Sequence, residues 1–163
     1  MRLFIAINFD KKLRSALTEV QTAMQLYGVR GNFTRPENLH ITLAFIGDYP
    51  EPDYVLDIMQ DIPFTPFPLT LEGLGAFHGL WWAGIRENKA LSTYVKRLRR
   101  ALAEADIPFD RKKFSPHITL VRKPTGALPG IELATKTMTV DHISLMRSDR
   151  GKNGMIYTEI GRV

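Results

Sequence analysis

One tetrapeptide occurs twice in this chain: His40-Ile41-Thr42-Leu43 and His117-Ile118-Thr119-Leu120, with the two histidines 77 positions apart. Each copy lies in an apolar run, Leu39 to Ile46 and Ile118 to Val121, the latter just after Pro116. Such runs read as strands. Along a strand, side chains at i and i+2 share a face. His40 and Thr42 therefore point one way while Ile41 and Leu43 point the other, and the second copy does the same. Each strand buries an aliphatic pair and presents an imidazole beside a hydroxyl.

The surrounding chain repeats as well. Leu3 to Phe9 reads as a strand, and Asp10 can cap a helix whose apolar face is Leu13, Leu17, Val20 and Met24. Gly28 and Gly31 end that helix, and Phe33 to Asn38 is a connector into the first His-x-Thr strand, which stops at Gly47-Asp48. Leu80 to Arg86 reads as a strand followed by a helix over about 88–105, with Leu91, Val95, Leu98 and Leu102 at the same i, i+4, i+7, i+11 spacing. Ala6 precedes His40 by the same 34 positions that separate Ala83 from His117. The repeat units, about 2–47 and 80–123, predict two lobes related by a pseudo-twofold axis within one domain spanning 1–163. The axis would bring the two His-x-Thr strands together across a cleft. Between the units, Pro50 to Met59 suggests a short helix, Pro63, Pro66 and Pro68 a connector, and Phe67 to Ala76 a strand. After them come a loop at 123–130, strands at about 135–147 and 155–161, and a turn-rich loop at 148–154.

Composition narrows the classes. The 163 residues, 44% apolar and 24% charged, are those of an ordinary globular chain. No apolar run reaches the roughly 18 residues of a membrane span, and the N-terminus reads as a strand rather than a signal peptide. The absence of cysteine removes disulfides, thiolate metal sites and a cysteine nucleophile, and suits a reducing cytoplasm. The net charge of +5 favours anionic partners such as RNA or nucleotides.

Two imidazoles across a cleft can hold opposite protonation states, one removing a proton from an attacking oxygen and the other giving one to a leaving oxygen. The threonine hydroxyls can hydrogen-bond to oxygens on which charge builds. The arrangement calls for no metal and no cofactor. A phosphodiester suits it, being anionic and displaced in line. Which histidine starts protonated is left open by the residues themselves.

Arg2-Leu3-Phe4-Ile5-Ala6-Ile7, Asn38 to Gly47 around the first motif and Ser115 to Arg122 around the second resemble the 2H phosphoesterases, over essentially the whole chain including the Ser148 and Tyr157 region. The branch most similar is the bacterial and archaeal RNA 2′,3′-cyclic phosphodiesterases, historically named 2′-5′ RNA ligases. The resemblance implies an α+β bilobal fold, with antiparallel sheets lining an active-site cleft and helices outside. It implies metal-independent hydrolysis of a ribose 2′,3′-cyclic phosphate to a 2′-phosphate. The protein is expected to be a cytoplasmic monomer. The partners it implies are RNA ends or nucleotides carrying the cyclic phosphate. It assigns His117 as proton acceptor and His40 as proton donor, with Thr42 and Thr119 as phosphate-binding residues. Arg122 matches the arginine that follows the second motif in this branch. Five residues after His117 it has the wrong parity for the His/Thr face, so it needs a strand end or a bulge to reach a phosphate. Phe45 holds the equivalent place after His40, where core packing is the plainer reading and base stacking the alternative. Joining of RNA ends through a 2′-5′ linkage, or a binding module without turnover, are the rival readings.

Several other residues are set aside. His142-Ile143-Ser144-Leu145 lacks threonine and has no strand–helix unit before it, so it is not a third motif. His78 beside Gly79 reads as an exposed turn residue. Of Trp81 and Trp82, one is expected in the core and the other on the opposite face. Lys96, Arg97, Arg99 and Arg100 read as a solvated helix surface.

Overall fold

The computed structural model describes all 163 residues, Met1–Val163. Nine strands and three helices follow one another as β1 (Arg2–Asn8), α1 (Lys11–Leu26), β2 (Asn32–Phe33), a 3₁₀ turn (Pro36–Asn38), β3 (His40–Asp48), α2 (Pro52–Gln60), β4 (Phe67–Phe77), β5 (Leu80–Ile85), α3 (Lys89–Glu104), β6 (Ile118–Arg122), β7 (Thr137–Val140), β8 (Ser144–Gly151) and β9 (Gly154–Arg162). They form two sheets, ordered β3-β1-β8-β9 and β2-β6-β5-β4-β7, with every pairing antiparallel. The fold is α+β and bilobal. β1 and β3 stand in the first sheet as β5 and β6 stand in the second.

The two long helices begin alike. The Asp10 carboxylate accepts from the Leu13 amide at 2.9 Å, and the Asn88 side chain accepts from the Leu91 amide at 3.0 Å. Each cap satisfies a donor that the first turn leaves free. The stripes Leu13, Leu17, Val20, Met24 and Leu91, Val95, Leu98, Leu102 are buried, as their spacing predicts. Their destination is less expected. α1 follows a strand of the first sheet but packs on β6 and β7 of the second, while α3 follows β5 of the second sheet and packs on β3 of the first. α2 lies between α3 and β9. Each strand–helix unit therefore lends its helix to the other sheet, and a single continuous apolar core runs through both halves.

Two parts of the C-terminal third differ from expectation. The strand anticipated at 135–147 is two strands in different sheets, β7 beside β4 and β8 beside β1. Asp141 and His142 interrupt the apolar pattern where the chain crosses over, and Ile143 and Val163 exchange backbone hydrogen bonds at 3.0 Å there. The anticipated loop at 148–154 is mostly ladder: Ser148 pairs with Tyr157 and Gly151 with Gly154, leaving Lys152-Asn153 as a two-residue turn. Gly154 has φ +118, open to glycine at little cost. The connector after α1 also contributes β2, which edges β6 through Asn32–Arg122 and Phe33–Val121.

Leu17 is fully buried in α1, whereas Leu26 at its end is 84% exposed. Leu17→Ala should cost about 2–5 kcal/mol in urea denaturation, and Leu26→Ala less than about 0.5 kcal/mol.

Candidate active site

The two sheets approach along β3 and β6. Their facing side chains enclose a cleft of about 370 Å³ lined by Arg2, Phe4, Thr34, Asn38, His40, Thr42, Phe45, His117, Thr119, Arg122, Ser148, Met155 and Tyr157. All six residues named from the sequence as site candidates are among them. Two arginines and no carboxylate line the space, so its field favours an anion.

The two histidines are anchored in the same way. His40 Nδ1 lies 2.7 Å from the carbonyl of Asn38, and His117 Nδ1 lies 2.8 Å from the carbonyl of Ser115. A carbonyl only accepts, so both Nδ1 atoms carry the proton and donate it. That leaves Nε2 of each ring as the free nitrogen. His40 Nε2 is 2.9 Å from Thr42 Oγ1, which can donate to it when the ring is neutral. Phe4 and Tyr157 close around the His40 ring, with centroids at 5.0 and 5.4 Å. Phe77 meets His117 edge-on at 5.2 Å.

Burial in this aromatic enclosure pushes the His40 pKa below the usual value near 6.5. The hydrogen bond to Asn38 opposes the shift, while the charges of His117 and Arg122 add to it. At neutral pH His40 accordingly favours its neutral form.

Arg122 and Phe45 reach the cleft through irregular ladders. Against β1, Thr42 is opposite Ala6 and Ala44 is opposite Ile5, which leaves Leu43 without a partner. Against β5, Thr119 is opposite Trp82 and Val121 is opposite Trp81, which leaves Leu120 without one. One unopposed residue reverses the side-chain alternation beyond it. Leu43 and Ala44 are both buried, as are Leu120 and Val121, and the next residues, Phe45 and Arg122, turn back to the histidine face. Phe45 is half-buried and does both things: it packs against the Phe4, Ala6 and Met146 cluster and it faces the cleft. Its ring lines the cleft, with the Arg2 guanidinium 4.8 Å from its centroid.

The other lining residues come from elsewhere in the chain. Arg2 and Phe4 alternate out of β1 on the face opposite buried Leu3 and Ile5. Arg2, Ser148 and Tyr157 are successive neighbours across β1, β8 and β9. The connector before the first motif is tied to the β8–β9 hairpin: Arg35 donates to the Asn153 carbonyl, and Asn38 Nδ2 donates to the Met155 carbonyl at 3.0 Å. Asn38, buried although polar, thus holds both the His40 ring and the hairpin that carries Tyr157.

The remaining histidines lie outside. His142 pairs with Asp141 at 2.6 Å, and His78 is exposed in the β4–β5 turn. Trp81 is the core tryptophan at 5% exposure. Trp82 lies on the cleft side of the sheet over Gly75, where a Cβ would come within 2.2 Å of its ring, and it contacts Phe77 rather than the cavity. No three His, Asp or Glu side chains converge anywhere in the structure. No helix is long and apolar enough to cross a membrane.

Residues 10–152 match the family model described as the 2′-5′ RNA ligase superfamily. The chain belongs to that family. Among curated relatives, an RNA 2′,3′-cyclic phosphodiesterase of Thermus thermophilus is 32% identical over 97% of this chain and 87% of its own length. One of Methanothermobacter thermautotrophicus is 27% identical over 98% and 96%. Among solved structures, TT0787 of Thermus thermophilus superposes with a TM-score of 0.83 at 30% identity, covering 99% of this chain and 96% of that one. Apo LigT of E. coli gives 0.86 at 24% identity over 99% and 95%, a likeness of fold.

Ring NMR titration should place the His40 midpoint below that of a free imidazole. Arg122→Gln should move it upward, because a repelling positive charge is removed.

Proposed function

We propose that this family member hydrolyses RNA or nucleotide 2′,3′-cyclic phosphates to 2′-phosphates, without a metal, by paired histidine acid/base catalysis. The observation that carries the reading is the matched anchoring of His40 and His117. Both turn Nε2 into one cleft that also holds Thr42, Thr119 and Arg122 and no carboxylate. The printed activity of the relatives, which align along nearly the full chain, supports the same substrate class.

In this mechanism the cyclic phosphate lies between the two Nε2 atoms. Its non-bridging oxygens accept from the Thr42 and Thr119 hydroxyls and from the Arg122 guanidinium. A water attacks phosphorus in line with the P–O3′ bond. His117 takes the water's proton as the new P–O bond forms. His40 gives its proton to O3′ as that bond breaks, leaving a 2′-phosphate and a free 3′-hydroxyl. The histidines end with exchanged protonation states and reset through solvent. Phe45, beside Arg2 on the cleft wall, offers an aromatic face to a base.

The lowered His40 pKa fits this role through the substrate's own charge. An anionic phosphate beside the ring favours the imidazolium and returns the proton that burial and the neighbouring cations discourage. The group is then charged as an acid when a substrate is present. Ligation of 2′-5′ ends would use the same groups in reverse, and water at tens of molar favours hydrolysis.

His40→Ala and His117→Ala should each lower turnover of an RNA ending in a 2′,3′-cyclic phosphate by about 10²–10⁴-fold or more. Near-normal turnover in either variant would remove the paired model. The product should be the 2′-phosphate, resolved by chromatography against the 3′ isomer, and the rate should survive EDTA. With His40 as the acid, kcat/KM should fall as pH rises through a limb below the usual histidine value. The corresponding limb of kcat should lie higher, because the bound anion raises the pKa. Coincident limbs would reassign the roles.

A further inference from the structure

The bulges that bring Phe45 and Arg122 into the cleft place a buried residue at the break in each ladder. A carbonyl has two lone pairs, and one buried without a donor costs about as much as a lost hydrogen bond. Leu43 and Leu120, the unopposed residues, are fully buried.

Side chains from the helices meet both carbonyls. Arg99 donates from Nε and Nη2 to the Leu43 carbonyl, each at 3.1 Å, and from Nη1 to the Lys112 carbonyl at 2.6 Å. Gln21 Nε2 donates to the Leu120 carbonyl at 2.9 Å and to the Thr34 carbonyl at 2.8 Å. The Leu120 carbonyl also accepts from the Thr34 amide at 3.0 Å. Arg99 is therefore not a solvated surface residue like its neighbours Lys96, Arg97 and Arg100.

The correspondence runs through the whole repeat. Gln21 stands eleven residues after the cap Asp10, and Arg99 eleven after the cap Asn88. Leu43 and Leu120 each stand three residues after a motif histidine. Each side chain spans from a bulge carbonyl to the connector that follows its own helix. Because the helices are exchanged between sheets, Gln21 of the first unit holds the second motif strand, and Arg99 of the second unit holds the first. A side chain at this helix position that donates to two carbonyls occurs in both halves, although one is an amide and the other a guanidinium. The shared element is the bulge it supports.

We propose that Gln21 and Arg99 are positioning residues: they hold the bulges at Leu120 and Leu43, and so aim Arg122 and Phe45 at the bound phosphodiester. Neither touches the cleft. The proposal rests on the phosphodiesterase reading of that cleft for its effect on turnover, but the geometry it asserts does not.

The test is a double-mutant cycle on the full chain, with a 2′,3′-cyclic mononucleotide as substrate. Gln21→Met keeps the side-chain length and removes the donor. It should lower kcat/KM about tenfold in the native background and less than about twofold when Arg122 is already alanine. Equal losses in the two backgrounds would mean that Gln21 acts on the fold at large, and would overturn the proposal. Arg99→Met is run against Phe45→Ala in the same way, with Arg99→Lys, which keeps a donor, expected to recover most of the loss. Arg99 is half-exposed on a helix and lies against Phe109 and Phe114, where methionine keeps the packing. This arm therefore decides the matter even if Gln21→Met fails to fold. An NMR titration of His40 separates the two readings. Gln21→Met should raise its midpoint as Arg122→Ala does, whether or not substrate turns over. An unmoved midpoint in the folded variant sinks the proposal. A raised midpoint in a protein that never hydrolyses the cyclic phosphate upholds the positioning role and sinks the phosphodiesterase reading instead.

Discussion

A β-strand sends only alternate side chains to one face, and this arrangement depends on breaking that rule twice. His40 and Thr42, or His117 and Thr119, satisfy the alternation unaided. A third contribution from the same strand, five positions after the histidine, does not. The extra residue in each ladder, Leu43 or Leu120, supplies the missing half-period. Much of the surrounding structure accommodates it: Leu43 and Leu120 are apolar and buried, the neighbouring residue is buried as well, and each extra residue's carbonyl accepts from a helix side chain. Bulges beside active sites re-aim side chains in this manner in many folds. Here the device is used symmetrically, once for an aromatic ring and once for a guanidinium.

The electrostatics of the cleft follow from what lines it. Burying an imidazole between Phe4 and Tyr157 disfavours its charge, and Arg122 disfavours it further. The same Arg122, with Arg2, gives the cleft a field that favours an anion. A bound anion beside the ring would oppose both effects and favour the imidazolium, which is what the proposed acid role requires.

Much of this was legible in the sequence because repetition is hard to counterfeit. The duplicated His-x-Thr strands, the 34-residue spacings and the two helical stripes placed His40, Thr42, His117 and Thr119 on one cleft. Parity flagged Arg122 as a residue that needed a bulge. What stayed hidden were features set by partners distant along the chain. Phe45 stays open between core packing and base stacking, because nothing local marks the bulge at Leu43. Arg99 sat in a basic run whose other members are exposed, and nothing local separates it from them. Arg2, Asn38, Ser148 and Tyr157 enter the cleft through sheet order and hairpin contacts that no periodicity encodes. The exchange of helices between the sheets leaves no local trace, because an amphipathic stripe says that it is buried and not against what.

That exchange bears on how the molecule can move. α1 is bedded on β6 and β7, α3 on β3, and each belongs by sequence to the opposite half. Parting the sheets like the shells of a clam would drag both helices out of their apolar seats at once, exposing Leu17 and Leu98 together. The halves are interlocked through the apolar core that both helices share. A ligand in the cleft would therefore meet a ready-made slot, and little of its binding free energy would go into drawing two lobes together.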